Sequence, residues 1–149
     1  GAITLEMLKK IIPNVLIDTN LVTGKGIPKA PGMKYRHYAP AAPMTVAVGT
    51  VKNVTLTLRE LYTKAGQEGK KVGFLVSRQV ADAFPKEMMY IWGEHGDKPA
   101  LASQLYTGLL FFDNVKVDYI LAEGVDAAGL GMAIMNRMKK AAGGDVIEV

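Results

Sequence analysis

The chain has 149 residues, 49% hydrophobic and 21% charged, which is enough apolar material for one compact domain with a core and too much for a disordered chain. It has no cysteine, which excludes disulfides, thiol nucleophiles and cysteine-ligated metals. The net charge of +4 is confined to the first 43 residues, where Lys9, Lys10, Lys25, Lys29, Lys34 and Arg36 face Glu6 and Asp18, while residues 44–149 balance twelve bases against twelve acids.

A neutral body argues against a nucleic-acid-binding domain, which normally presents a basic face. The apolar runs, such as residues 108–112 and 119–122, are too short to span a bilayer. The first residues lack the charged and apolar regions of a signal peptide. With the absence of cysteine this is compatible with the cytoplasm without establishing it; a cytoplasmic location and no membrane partner are the expectation.

Residues 4–12 read as a short amphipathic helix. Thr4 suits the N-cap, Glu6 sits in the first turn where negative charge is favoured, and Leu5, Leu8, Ile11 and Ile12 fall near one face. Pro13 ends it. From residue 14 to 43 no period persists, and Gly24, Gly26, Pro28, Pro31, Gly32, Pro40 and Pro43 interrupt the chain. A stretch of about thirty such residues is a linker rather than an ordinary loop.

Beyond Pro43 the pattern alternates. Strands are expected at residues 44–48, 71–77, 88–92, 117–122 and 145–149, and helices at 54–67, 79–84, 99–112 and 131–142. Pro85 stops the second of these helices, and Pro99 opens the third, as proline is tolerated in a first turn. Continuously apolar strands alternating with helices imply an α/β fold. The expected architecture is a small doubly wound, mainly parallel five-stranded sheet with helices on both faces, preceded by a short helix and a long linker.

Most candidate sites in this body have a plain reading. Gly129 and Gly131 follow a strand and open a helix, the setting for phosphate at a helix N-terminus, but Ile134 stands where a dinucleotide fingerprint needs its third glycine. A tight turn bringing the helix close to the sheet is the expected role. His37 and His95 lie in unrelated segments, so no metal site is expected. His95 sits beside Glu94 and Asp97 in a strand-to-helix loop, read as solvated although such loops line the edge where ligands bind. Ser77 and Ser103 lack the glycines of a nucleophile elbow. Asp113 and Asp118 flank a loop as solvated carboxylates, and Arg137, beside Asn136, suits a surface or capping contact.

The segment Pro31-Gly32-Met33-Lys34-Tyr35-Arg36-His37-Tyr38-Ala39-Pro40 is different. Lys34 and Arg36 can take phosphate, Arg36 bidentately, and Tyr35 and Tyr38 can stack on a base or hydrogen-bond a polar ligand. His37 lies among them, and the flanking prolines restrict the backbone. This concentration of recognition side chains favours an anion- or nucleotide-contacting loop over a spacer.

That segment closely resembles the linker motif of the long-form threonylcarbamoyl-AMP synthases, which joins a YrdC-like catalytic domain to a C-terminal Rossmann-like domain. Gly1-Ala2-Ile3-Thr4 is similar to the close of the catalytic domain. Residues 118–123 and 129–137 resemble the family's last strand, turn and helix. Residues 109–113 depart from it, since relatives tend to have an arginine and a single leucine before the aspartate, which leaves Asp113 in register.

The resemblance implies three parts: residues 1–13 as the remnant of the catalytic domain, 14–43 as linker, and 44–149 as the Rossmann-like domain. It implies a parent enzyme that converts threonine, bicarbonate and ATP, with magnesium, to threonylcarbamoyl-AMP and pyrophosphate for tRNA modification. Lys34, Tyr35, Arg36, His37 and Tyr38 would contact nucleotide or substrate. No catalytic residue and no metal ligand is expected in this chain, which alone would be inactive and bind no cofactor. Without the catalytic domain, residues 4–12 would either be disordered or dock their apolar face on a neighbouring copy, giving a self-associated pair. A free-standing nucleotide-binding module and a purely structural or interaction module are the alternatives.

Overall fold

The computed structural model describes residues 39–149. The expected helix at residues 4–12, most of the linker and residues 34–38 lie outside the described residues.

Five strands, β1 (Met44–Val48), β2 (Val72–Val76), β3 (Met89–Ile91), β4 (Tyr119–Glu123) and β5 (Val146–Glu148), form one sheet in the order β3-β2-β4-β1-β5. Every pairing is parallel. Four helices connect them: α1 (Val51–Gln67), α2 (Arg78–Ala81), α3 (Lys98–Val115) and α4 (Leu130–Ala141). The expected parallel α/β body is therefore observed, with element ends shifted by a few residues.

Side-chain alternation along the strands builds two cores. Phe74 and Val76 of β2, Ala47 of β1 and Leu121 of β4 pack with Val54 and Leu58 of α1 and Val80 of α2. Leu75, Met44, Val46, Ile120 and Ala122 point the other way, onto Leu101, Leu105 and Leu109 of α3 and Ile134 and Met138 of α4. Both faces of the sheet are thus covered, which is why the strands read as continuous apolar runs. A fully buried leucine such as Leu58, Leu101 or Leu121 contributes about 1.5–3 kcal/mol.

Local signals fix where the helices begin. The side chains of Thr50, Ser77 and Asp97 accept from the backbone N–H groups of Asn53, Val80 and Ala100, satisfying donors that the first helical turn leaves open. Helix α3 ends at Lys116, which takes the left-handed conformation at φ 60° and donates its N–H to the Phe112 carbonyl.

The topology singles out one place. Strand β4 lies between β2 and β1, and its connection runs through α4 on one face while theirs run through α2 and α1 on the other. The carboxyl ends of strands whose connections diverge leave a crevice, where doubly wound folds place ligands. The last residue of β4 is Glu123.

Candidate functional site

Three loops meet at this carboxyl edge, after β2, β3 and β4. Glu123 is 0% exposed although ionisable groups are rarely buried without partners. Its Oε1 accepts from the Ser77 backbone N–H at 2.8 Å, and its Oε2 lies 2.6 Å from His95 Nδ1. The His95 backbone N–H donates to Gln79 Oε1 at 2.8 Å, and Gln79 Nε2 donates to Glu94 Oε1 at 2.5 Å. Arg78 Nε donates to Glu94 Oε2 at 2.8 Å, and the Arg78 N–H donates to the Gly93 carbonyl. Because Ser77, Arg78 and Gln79 are consecutive, these contacts close a circuit that ties the β2 turn to the β3 loop and to the end of β4.

The circuit is electrostatically matched. The bond from Arg78, then that from Gln79, holds the Glu94 carboxyl below its usual range. Next to it, Lys98 Nζ donates to Asp126 Oδ1 and to the Ala128 carbonyl, both at 2.8 Å. The Lys98 bond, followed by one from the Ala128 N–H, lowers the Asp126 carboxyl as well. Trp92, at the start of the β3 loop, buries its indole N–H without a partner. Among the described residues no group of three or more His, Cys, Asp or Glu side chains is placed to hold a metal ion. Beyond Asp126, a groove of about 780 Å³ runs between α4 and the β5 edge, lined by Val48, Val125, Met135, Lys139 and Val146 among others.

The sequence reading is corrected at three positions. His95 is not simply solvated: its ring is anchored on a buried carboxylate, and its side chain is 34% exposed. Asp118 accepts from the Lys71 N–H at 2.8 Å, and Asp113 from the Ala41 N–H at 3.1 Å, so both tie backbone segments together. Glu123 was missed as a site residue. The one available signal is a carboxylate closing an otherwise apolar strand.

Ser77 is a helix cap, and Gly131 serves close packing, since a Cβ there would run into the Asp126 carbonyl oxygen. Asn136 is exposed on α4, and Arg137 is half-buried beside it. Lys34, Tyr35, Arg36, His37 and Tyr38 lie outside the described residues.

Fold and edge define a doubly wound α/β domain of the kind that offers a ligand crevice at its carboxyl end. The family model for the threonylcarbamoyl-AMP synthase C-terminal domain matches residues 3–143, and the chain belongs to that family. The chain is 37% identical to the threonylcarbamoyl-AMP synthase of Bacillus subtilis over 147 residues, covering 99% of this chain and 41% of the relative. It is 40% identical to that of Pyrococcus abyssi over 151 residues, covering 100% and 42%.

The crystal structure of the Pyrococcus abyssi protein, Sua5, complexed with L-threonine superposes with a TM-score of 0.67 at 37% identity, over 97% of this chain and 41% of that one. A variant of it with an adjacent histidine and tyrosine both changed to alanine has also been solved. The C-terminal Sua5 domain of Pyrococcus horikoshii matches with a TM-score of 0.58 at 30% identity, over 74% of this chain and 100% of that one. The chain thus spans about two fifths of the length of the synthases it matches. Among the described residues no helix is long and apolar enough to cross a membrane.

Proposed function

We propose that this chain is the accessory C-terminal domain and inter-domain linker of an L-threonylcarbamoyladenylate synthase. The observation that carries the reading is the family match over residues 3–143, which takes in the whole Pro31-to-Pro40 motif. The parent reaction joins threonine, bicarbonate and ATP, with magnesium, into threonylcarbamoyl-AMP and pyrophosphate for tRNA modification in the cytoplasm. The threonine complex of the Pyrococcus abyssi relative supports threonine as substrate.

In this reading residues 1–13 close the YrdC-like catalytic domain, residues 14–43 link, and residues 44–149 form the accessory body. Lys34, Tyr35, Arg36, His37 and Tyr38 cover the nucleotide, excluding water from a reactive acyl-adenylate and adding charge stabilisation that closure completes. His37 and Tyr38 are the one His-Tyr pair in this chain, the residue types altered together in the solved variant. The chain alone makes no adenylate.

The test is synthesis and ATP binding by full-length protein with Lys34, Arg36, His37 and Tyr38 changed singly. Arg36→Ala removes a charged hydrogen-bond donor worth about 1.5–3 kcal/mol, so nucleotide affinity falls roughly ten- to a hundredfold. Wild-type affinity and rate in all four variants would show the segment to be a spacer.

A further inference from the structure

We propose that Asp113 is a positioning residue for the synthase: by holding Ala41 it fixes where the Lys34-to-Tyr38 segment leaves the body. The inference rests on the proposed function, in which that segment covers the nucleotide, and it assigns a role to a residue of the body.

The Pro31-to-Pro40 motif does not end in open chain. Pro40, its last residue, is buried, and the three residues that follow are each attached to the body. The Ala41 N–H donates to Asp113 Oδ1 at 3.1 Å. Ala42 is half-buried against the core on the α3 and α4 side, and the Pro43 carbonyl accepts from the Ile120 N–H at 2.9 Å. Of the two hydrogen bonds, the one from Ala41 is nearer to the segment, and a side chain makes it. Helix α3 (Lys98–Val115) gains nothing from an aspartate at this place, since negative charge in a last turn opposes the helix dipole and aspartate is a poor helix former. What Asp113 holds is the end of the linker.

Chain length turns this anchor into a constraint. From Ala41 back to Tyr38 is three residues, which span at most about 10–11 Å. Ala41 stands just ahead of β1 and Asp113 lies in the last turn ahead of β4, so both are at the amino edge of the sheet. Strand β4 alone runs about 13 Å from Tyr119 to Glu123 at the opposite edge. The nucleotide that the segment covers is therefore met at the amino edge of this body and not at the carboxyl crevice.

A segment with one end already fixed loses less freedom when it closes than one whose end is loose. Freeing Ala41 raises that cost equally for bound substrate and transition state, so the loss appears in the KM for ATP and not in kcat.

The experiment is steady-state synthesis of threonylcarbamoyl-AMP by full-length protein, with ATP varied, in wild type, Asp113→Ala, Asp113→Asn, Arg36→Ala and the Asp113→Ala, Arg36→Ala double variant. Asp113→Ala should raise the KM for ATP about two- to tenfold and leave kcat within about twofold. Asp113→Asn keeps an oxygen acceptor and should restore most of the loss. In the Arg36→Ala background the Asp113 change should add less than it does alone, because misplacing the segment matters less once its contact is gone. A general loss of folding would lower kcat through the active fraction and leave KM as it was; that result overturns the proposal. So does an Asp113→Ala effect on KM that is fully additive with that of Arg36→Ala, whatever the size of the latter. If Arg36→Ala weakens ATP use and Asp113→Ala does not, the positioning role falls and the covering segment stands. If the single variants of the segment also match wild type, both fall.

Discussion

Glu123 Oε2 and His95 Nδ1 meet at 2.6 Å across 28 residues of sequence, one group fully buried and the other a third exposed. The pair joins the end of the central strand β4 to the loop after the edge strand β3. Removing the partner of a fully buried charge costs about 3–5 kcal/mol.

Water can reach the His95 side, so His95→Phe should destabilise the domain by less, about 1–3 kcal/mol. Glu123→Gln should cost a similar amount, because an amide oxygen still accepts from the Ser77 N–H. The double variant should cost clearly less than the sum of the two, since contacting residues couple by about 0.5–3 kcal/mol. Urea denaturation of the four proteins measures this. Additive costs would mean the contact contributes nothing.

Gly131 permits the close approach of α4 to the β4 loop. An added Cβ would run into the Asp126 carbonyl oxygen, a backbone atom that cannot rotate away. Gly131→Ala should therefore destabilise the domain by about 1–3 kcal/mol despite the better helix propensity of alanine. Gly66 near the end of α1 meets nothing within 4 Å, so Gly66→Ala should be neutral or stabilising by up to about 1 kcal/mol. Thermal denaturation of both variants separates steric need from conformational freedom.

Much of this fold was legible because its strands are buried on both faces. Residues 44–48 were delimited by apolar content alone, and Pro99 and Asp97 mark the start of α3 in plain letters. The site was less legible. His95 has acidic sequence neighbours, which suggested a solvated loop, but the acid that holds its ring is Glu123, far along the chain. Glu123 itself ends a run that looks like any apolar strand, and its partners Ser77 and His95 become neighbours only when β4 inserts between β2 and β1. Local pattern encodes elements. Contacts made by strand insertion are not in the pattern.

Trp92 is 2% exposed and its indole N–H has no partner. A buried unsatisfied donor costs about 1–3 kcal/mol, whereas truncating a buried tryptophan to alanine costs about 3–5 kcal/mol. Trp92→Phe removes the donor but keeps a ring, so the two effects should offset to within about 1 kcal/mol. Trp92→Ala should show the full loss. Chemical denaturation of both variants decides; a Trp92→Phe cost equal to that of alanine would mean the indole N–H is satisfied, for instance by water.

Glu94 provides a pH test with a definite sign. Its pKa is lowered from 4.5, chiefly by the Arg78 bond and then by that of Gln79. A lowered folded-state value means that its contribution is fully present above the unfolded value and is lost as pH falls through the folded one. The brace between the β2 and β3 loops should therefore hold at neutral pH and loosen only below the ordinary glutamate range. Carbon-detected NMR of the Glu94 carboxyl should show a midpoint below 4.5, returning upward in Arg78→Ala. An unchanged midpoint in that variant would remove Arg78 as the cause.

Asp113 fastens the beginning of the body to its far side. It sits near the end of α3, and its Oδ1 accepts from the Ala41 N–H at 3.1 Å, across 72 residues of sequence. Pro40 is buried, and the Pro43 carbonyl accepts from the Ile120 N–H, so this stretch is held at three successive points before β1 begins. Asp113→Ala leaves the amide of Ala41 to water, and a single exposed hydrogen bond to a charged acceptor contributes about 0.5–1.5 kcal/mol here after solvent competition. The global cost should be at least of that size, while amide exchange should accelerate at Ala41 and not in β1 or β4. Asp113→Asn keeps an oxygen acceptor and should restore most of the protection. Unchanged exchange at Ala41 in the alanine variant would mean the bond does not persist in solution, and slower exchange would mean the carboxylate had been straining the turn.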